Sequence, residues 1–242
     1  YAPLMPGFKY IPFNDIEAVR KAIDSRTCAI MVEPIQGEGG VNCPSEGYLK
    51  ALRETCDERG ILLIFDEVQV GMGRTGKLFA YEHEGVEPDM LTLAKSLAGG
   101  VPIGALLIKK EVAESFGPGD HASTFGGNPL ATAAGVAALN AILEEGMLEN
   151  CQKVGVYFLS RLEEMKTKFP FIQEVRGKGL IISMELKVEG SSVVKAMMQK
   201  GILINCTMNN VLRFLPPLIV TEAEVDQVVN TLEEVFQNSI AH

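Results

Sequence analysis

An α/β fold with a mostly parallel sheet, followed by a smaller α+β module, is the architecture the sequence predicts, and three observations predict it. Apolar strand-like runs alternate with helical periodicity through the first half, as a parallel sheet with crossover helices requires. Ile-Leu-Leu-Ile-Phe-Asp-Glu at 61–67 is continuously apolar up to its acids, the mark of a strand buried on both faces. Beyond an alanine-rich helix, paired strand signals sit between helices instead. With 242 residues, 47% of them hydrophobic and 22% charged, the chain is able to bury a core of this size.

Each element has its own signal. Asn14 suits the cap of a helix running to about Ser25, and 27–33 (Thr-Cys-Ala-Ile-Met-Val-Glu) reads as a strand. Ser45 suits the cap of a second helix, with Leu49, Leu52 and Cys56 at helical spacing and Gly60 as its stop. Strands follow at 61–67, 90–94 and 103–109. From Asn128 to about Glu145 the composition is strongly helical, with Pro129 in the first turn and Gly146 at the end. A helix over about 147–168 leads into 171–186, two strands around a Gly-Lys-Gly turn. A helix near 191–200, short strands at 202–205 and 211–215, and an amphipathic helix from Thr221 to about Phe236 complete the module. The expected division is 1–127, a bridging helix at 128–146, and 147–242.

Charge and composition narrow the function classes. A net charge of −9 repels phosphate backbones and anionic membrane surfaces, so neither nucleic acid nor membrane is an expected partner. No apolar run reaches the ~20 residues of a membrane span. Cys28, Cys43, Cys56, Cys151 and Cys206 stand singly, a pattern of reduced thiols in a cytoplasmic protein rather than a disulfide framework or zinc site. His83 and His121 show no ligand spacing, and no metal is expected.

Three stretches are candidates for chemistry. Gly-Met-Gly-Arg-Thr-Gly at 71–76 satisfies a dinucleotide fingerprint, but Asp-Glu-Val-Gln-Val separates it from the strand, and the segment before Pro88 is too short and polar for a crossover helix. An ordinary glycine-rich turn competes with a nicotinamide site. In Phe-Asp-Glu-Val-Gln, alternation sends Asp66 and Glu67 to opposite sides at the carboxyl end of a strand, where open α/β sheets place ligands. Lys95, in Thr-Leu-Ala-Lys-Ser-Leu-Ala-Gly-Gly, holds the equivalent place after the next strand. An acid and an amine sharing a crevice suit a pyridoxal phosphate site, with the lysine forming a Schiff base and the carboxylate pairing with the ring nitrogen. A structural Asp–Lys ion pair is the competing reading.

Five motifs in order, VEPIQGEGG, FDEVQVGMGRTG, LAKSLAGGVPIGA, STFGGNPLA and NVLRFLPPL, resemble those of class III pyridoxal-phosphate aminotransferases. Within that class, INC with VLRFLPPL is most similar to the acetylornithine branch. The resemblance implies fold type I, with 1–127 as the C-terminal part of a large cofactor domain and 147–242 as the small domain, in a homodimer. It implies that Lys95 carries the cofactor and shuttles the proton, that Asp66 holds the pyridine nitrogen protonated, and that Gln69 bonds near the cofactor 3′-oxygen. It further implies that Thr124 reaches the phosphate in the neighbouring subunit, that Arg213 clamps a substrate carboxylate, and that Glu38 masks Arg213 when an amine donor binds.

The implied reaction moves the terminal amino group of N-acetylornithine to 2-oxoglutarate, giving glutamate, by a ping-pong route in arginine biosynthesis. Ornithine, succinylornithine, succinyl-diaminopimelate and 4-aminobutyrate are alternative donors; a non-catalytic fragment and an NAD-dependent oxidoreductase are alternatives of other classes. Family members carry a substantial portion before the point matching Tyr1, holding a phosphate-binding loop, an aromatic that stacks on the ring and another arginine. The expectation is that the parent enzyme is active and that these 242 residues alone bind cofactor weakly or not at all.

Overall fold

A computed structural model describes residues 2–239. Helix α1 (Ile16–Ala22) is capped by Asp15, whose carboxylate accepts the Ala18 N–H at 2.8 Å. The cap is therefore not Asn14: that residue adopts a left-handed φ of 66°, accepts the Ser45 N–H and donates to the Cys43 carbonyl. The helix also stops short of Ser25, because Asp24 accepts the Arg26 N–H and closes a turn. Strand β1 (Ala29–Val32) follows, then α2 (Tyr48–Arg59). Ser45 does not cap α2 with its side chain, which is turned to Asn14; Gly47, left-handed, opens the helix, and Gly60 ends it as expected.

Strands β2 (Leu62–Asp66), β3 (Met90–Leu93) and β4 (Ala105–Ile108) complete a sheet of order β1-β2-β3-β4, parallel except for the antiparallel β3–β4 pair. On β2, Leu63 and Phe65 are buried in a core with Val19, Leu49, Leu52 and Cys56. Leu62, Ile64 and Asp66 are only half-buried. The apolar run thus marks a strand with one dry face, because α1 and α2 pack on that side and the described residues cover the other incompletely. That other face carries the edge of the candidate site.

After the short α3 (Lys110–Ala113), the long α4 (Pro129–Glu144) begins where the Asn128 side chain accepts the Ala131 N–H at 3.0 Å. Helix α5 (Met147–Lys168) starts at left-handed Gly146 and covers a second sheet made of β5 (Ile172–Lys178), β6 (Ile181–Leu186), β7 (Asn205–Thr207) and β8 (Val211–Phe214). Their order is β5-β6-β8-β7, antiparallel throughout. Helix α6 (Ser191–Gln199) precedes β7, and α7 (Glu222–Ser239) closes the module. Strand β7 starts later than the 202–205 reading because the Ile202 N–H still bonds the Met197 carbonyl, which makes Ile202 part of the exit from α6. The second core gathers Phe158, Leu162, Leu180, Met184, Leu212 and Phe236, each contributing roughly 1.5–3 kcal/mol on full burial.

The two sheets meet at the turn 71–76. The Leu180 N–H bonds the Arg74 carbonyl at 3.0 Å, and the Arg74 guanidinium donates to the carbonyls of Leu180 and Pro216. Gly179 has no room for a side chain there: a Cβ would stand 2.5 Å from the Thr75 carbonyl carbon, and φ is already +57°.

Candidate active site

Strands β2 and β3 are adjacent and parallel, with Asp66 in register with Thr92. The Thr92 hydroxyl donates to Asp66 Oδ1 at 3.2 Å and the Val68 N–H to the same oxygen at 3.0 Å. Both bonds use Oδ1, so Oδ2 has no protein donor among the described residues. Lys95 lies just past β3 and opens the short turn Lys95–Ala98. Its φ is 47°, a left-handed conformation that costs a residue with a Cβ on the order of 1 kcal/mol and that gathers at functional sites. The residue is exposed. Its charge is a lesser, lowering influence on Glu33 and Glu38, behind burial in both and behind the Arg213 bond at Glu38.

Glu33 is a member of this group that sequence reasoning missed. Its Oε2 accepts the Gly37 N–H at 2.9 Å, which shapes the loop carrying Glu38. Burial pushes its carboxyl up; the Gly37 bond opposes that, and the Asp66 charge adds to it. Glu67 is a second omission. It turns into the dry side of β2, is 1% exposed, and accepts the N–H groups of Ala80 and Tyr81 at 2.7 and 2.9 Å. Burial pushes it up to about 7 despite those two bonds. The strand alternation gave its direction, but its partners, more than ten residues away, left no local signal.

The second sheet brings a cation to the same place. Arg213 on β8 is 6% exposed; its Nη2 donates to Glu38 at 3.0 Å and its Nη1 to Gln69 Oε1 at 3.2 Å. Gln69 in turn donates to Glu38 Oε1 at 3.0 Å, closing a triangle of residues that lie far apart in the chain. Burial raises the Glu38 carboxyl, but the hydrogen bond and charge of Arg213 outweigh it and hold the group below its ordinary value. Arg213 Nε is buried without a partner among the described residues. A buried guanidinium with an unpartnered Nε and an exposed counter-ion is suited to receiving a carboxylate.

Other candidates separate from this cluster. Thr124 is exposed on the loop before α4 and does not cap it. His83 packs with its Nε2 3.0 Å from Thr75 Oγ1, and burial lowers it to about 4; His121 is exposed. All five cysteines are free, and no metal-binding group occurs among the described residues. The turn 71–76 leads only to a short helical turn at Ala80–His83, so no helix follows its last glycine to meet a pyrophosphate.

The two-sheet α/β fold that carries this amine, carboxylate and paired arginine is the fold of known aminotransferases. The chain belongs to the class-III aminotransferase family, whose pattern matches residues 3–236. It is 56% identical over 236 residues to the acetylornithine aminotransferase of Methanocaldococcus jannaschii, covering 98% of this chain and 59% of that one. The ornithine aminotransferase of Toxoplasma gondii superposes with a TM-score of 0.93 at 41% identity, over 98% of this chain and 57% of that one; a structure of that enzyme is described with PLP at partial occupancy in its active site. The acetylornithine aminotransferase of Elizabethkingia anophelis superposes with a TM-score of 0.90 at 41% identity, over 96% of this chain and 60% of that one. The chain thus spans about three-fifths of the length of these relatives.

Proposed function

We propose that the whole protein is an acetylornithine aminotransferase, moving the terminal amino group of N-acetylornithine to 2-oxoglutarate with pyridoxal phosphate as carrier. The observation that carries this reading is the Arg213–Glu38 pair at 3.0 Å, which joins β8 of one sheet to the loop after β1 of the other. It allows one pocket to take two unlike substrates. With the amine donor, Glu38 occupies Arg213 and presents a neutral wall. With glutamate or 2-oxoglutarate, Glu38 leaves and the substrate carboxylate takes the guanidinium, including its spare Nε.

When bound, pyridoxal phosphate supplies a carbonyl for the amine and a cationic ring that draws off the electron pair released at the substrate carbon. The residues present fit that group. Lys95 Nζ is the amine that would hold it, and the same nitrogen would serve as the base for the proton on the substrate carbon. Asp66 Oδ2, free of protein donors among the described residues, would accept the ring N–H and favour its charged form. Gln69, held between Glu38 and Arg213, would be a hydrogen-bond partner for the cofactor's ring oxygen. Thr124, exposed ahead of α4, is assigned to the phosphate bound in the second subunit of a homodimer. The exposed apolar side chains of Phe125, Leu130 and Val136 support such a pairing.

We further propose a large domain over 1–127, the bridging helix 128–146 and a small domain over 147–242; the placement of one sheet on each side of α4 supports it. No helix among the described residues is long and apolar enough to cross a membrane, and the net charge of −9 fits small-molecule work in the cytoplasm.

A panel of amine donors tests the substrate. N-acetylornithine is expected to give the highest kcat/KM with 2-oxoglutarate as acceptor. A clear preference for ornithine or 4-aminobutyrate would overturn the choice of donor while keeping the reaction class.

A further inference from the structure

Arg176, on β5, takes no part in the site described above, yet it is a largely buried guanidinium whose Nε and Nη2 both bond the loop behind Glu38. Its side chain is 14% exposed. Nε donates to the carbonyls of Gly40 and Val41 at 3.2 Å each, and Nη2 donates to Gly40 at 2.8 Å. Nη1 is anchored on its own sheet by Glu185 at 2.6 Å and Glu174 at 2.7 Å. The Gly40 carbonyl receives a third donor, the Ser183 hydroxyl, at 3.4 Å.

The sheet register explains the convergence. Arg176 pairs with Ser183 across β5–β6, and Ser183 pairs with Arg213 across β6–β8. Directly opposed residues on neighbouring strands point to the same face. The three side chains therefore form one row across the sheet, all reaching the loop 37–41. One end of the row holds the loop by its backbone, and the other bonds the Glu38 carboxylate. Gly40 leaves space for this approach: with φ of +108°, it would place a Cβ 3.4 Å from Arg176 Nη2.

The structure assigns Arg176 as the positioning residue that sets the balance between masked and open Arg213, by holding the 37–41 backbone so that Glu38 stays within bonding distance. The assignment rests on the two-substrate role of Glu38 and Arg213 proposed above. It follows from geometry that Glu38, itself exposed on its loop, has only Arg213 and Gln69 to keep it in place from the front. Without Arg176 the loop loses three charge-assisted bonds, each of the stronger kind. Glu38 then competes less well for Arg213, and a dicarboxylate binds more easily.

The test compares Arg176→Gln and the milder Arg176→Lys in the wild-type and Glu38→Gln backgrounds. Hydrogen exchange of the 36–42 segment reads the loop directly. Exchange about tenfold faster in Arg176→Gln, and intermediate in Arg176→Lys, is the expected result, since the loop loses bonds from a charged donor. Titration with glutarate reads the arginine. Affinity is expected to rise at least about threefold in Arg176→Gln and not to change further when Glu38 is already Gln, the non-additivity of residues that act through one another. Unchanged loop exchange, or an equal change in glutarate affinity in both backgrounds, would overturn the assignment. If glutarate binds no variant, the carboxylate role of Arg213 fails, and the exchange result then decides by itself whether Arg176 holds the loop.

Discussion

At Glu67, burial and hydrogen bonding act against each other. Its two backbone donors favour the carboxylate, but the dry face of β2 wins and lifts the group from 4.5 to about 7. The folded chain then holds a proton that the unfolded chain has lost, so this residue's contribution to stability is fully present below about pH 4.5 and is lost as pH rises through 7. His83 has the opposite sign: lowered by burial from 6.5 to about 4, it adds stability as pH rises across that interval. The two offset one another where they overlap. Thermal melts of Glu67→Gln across pH 5–8 are expected to show a shallower fall on the alkaline side than wild type, with a lower Tm throughout because one backbone N–H loses its acceptor. An unchanged pH slope would mean that Glu67 is ionised in the folded state. Arg213 gives a functional prediction. Arg213→Lys keeps the charge but loses the fork that bonds Glu38 and Gln69 together, so KM for 2-oxoglutarate should rise about tenfold or more, with a smaller change in KM for the amine donor.

Among the elements, the turn 71–76 matters most for how the two sheets are joined. Arg74 is a buried cation paired with carbonyls rather than a carboxylate, and burial lowers it from its ordinary value. Arg74→Ala is expected to cost about 2–4 kcal/mol in denaturant unfolding, mainly by leaving the Leu180 and Pro216 carbonyls unsatisfied. Gly179→Ala should destabilise comparably, since its Cβ has nowhere to go. Less than about 0.5 kcal/mol in both would show that the sheets are held together elsewhere. Helices α4 and α5 were legible almost to the residue, because Asn128, Pro129 and Gly146 are local signals. The caps of α1 and α2 were not, because Asn14 and Ser45 bond to each other across the chain instead of to their own helices. Of the site, Asp66 and Lys95 could be read from strand ends, and Glu38 and Arg213 from motifs. Glu33 could not, nor could Glu67 and Arg176 outside the site, since their roles depend on backbone partners supplied by tertiary folding.

Over the whole molecule, the proposed function draws on both sheets: the first would supply the amine and the acid that hold the cofactor, and the second the cation that recognises the substrate. Neither half of the chain contains the complete set, so relative placement of the sheets is part of the chemistry. The most direct measurement is borohydride reduction of the protein loaded with pyridoxal phosphate, followed by peptide mass analysis. The phosphopyridoxyl mass is expected on the peptide containing Lys95 and on no other, and it should be absent in Lys95→Ala. Stoichiometric labelling of a different lysine, or undiminished labelling in Lys95→Ala, would contradict the site built here from Asp66, Lys95, Glu38 and Arg213.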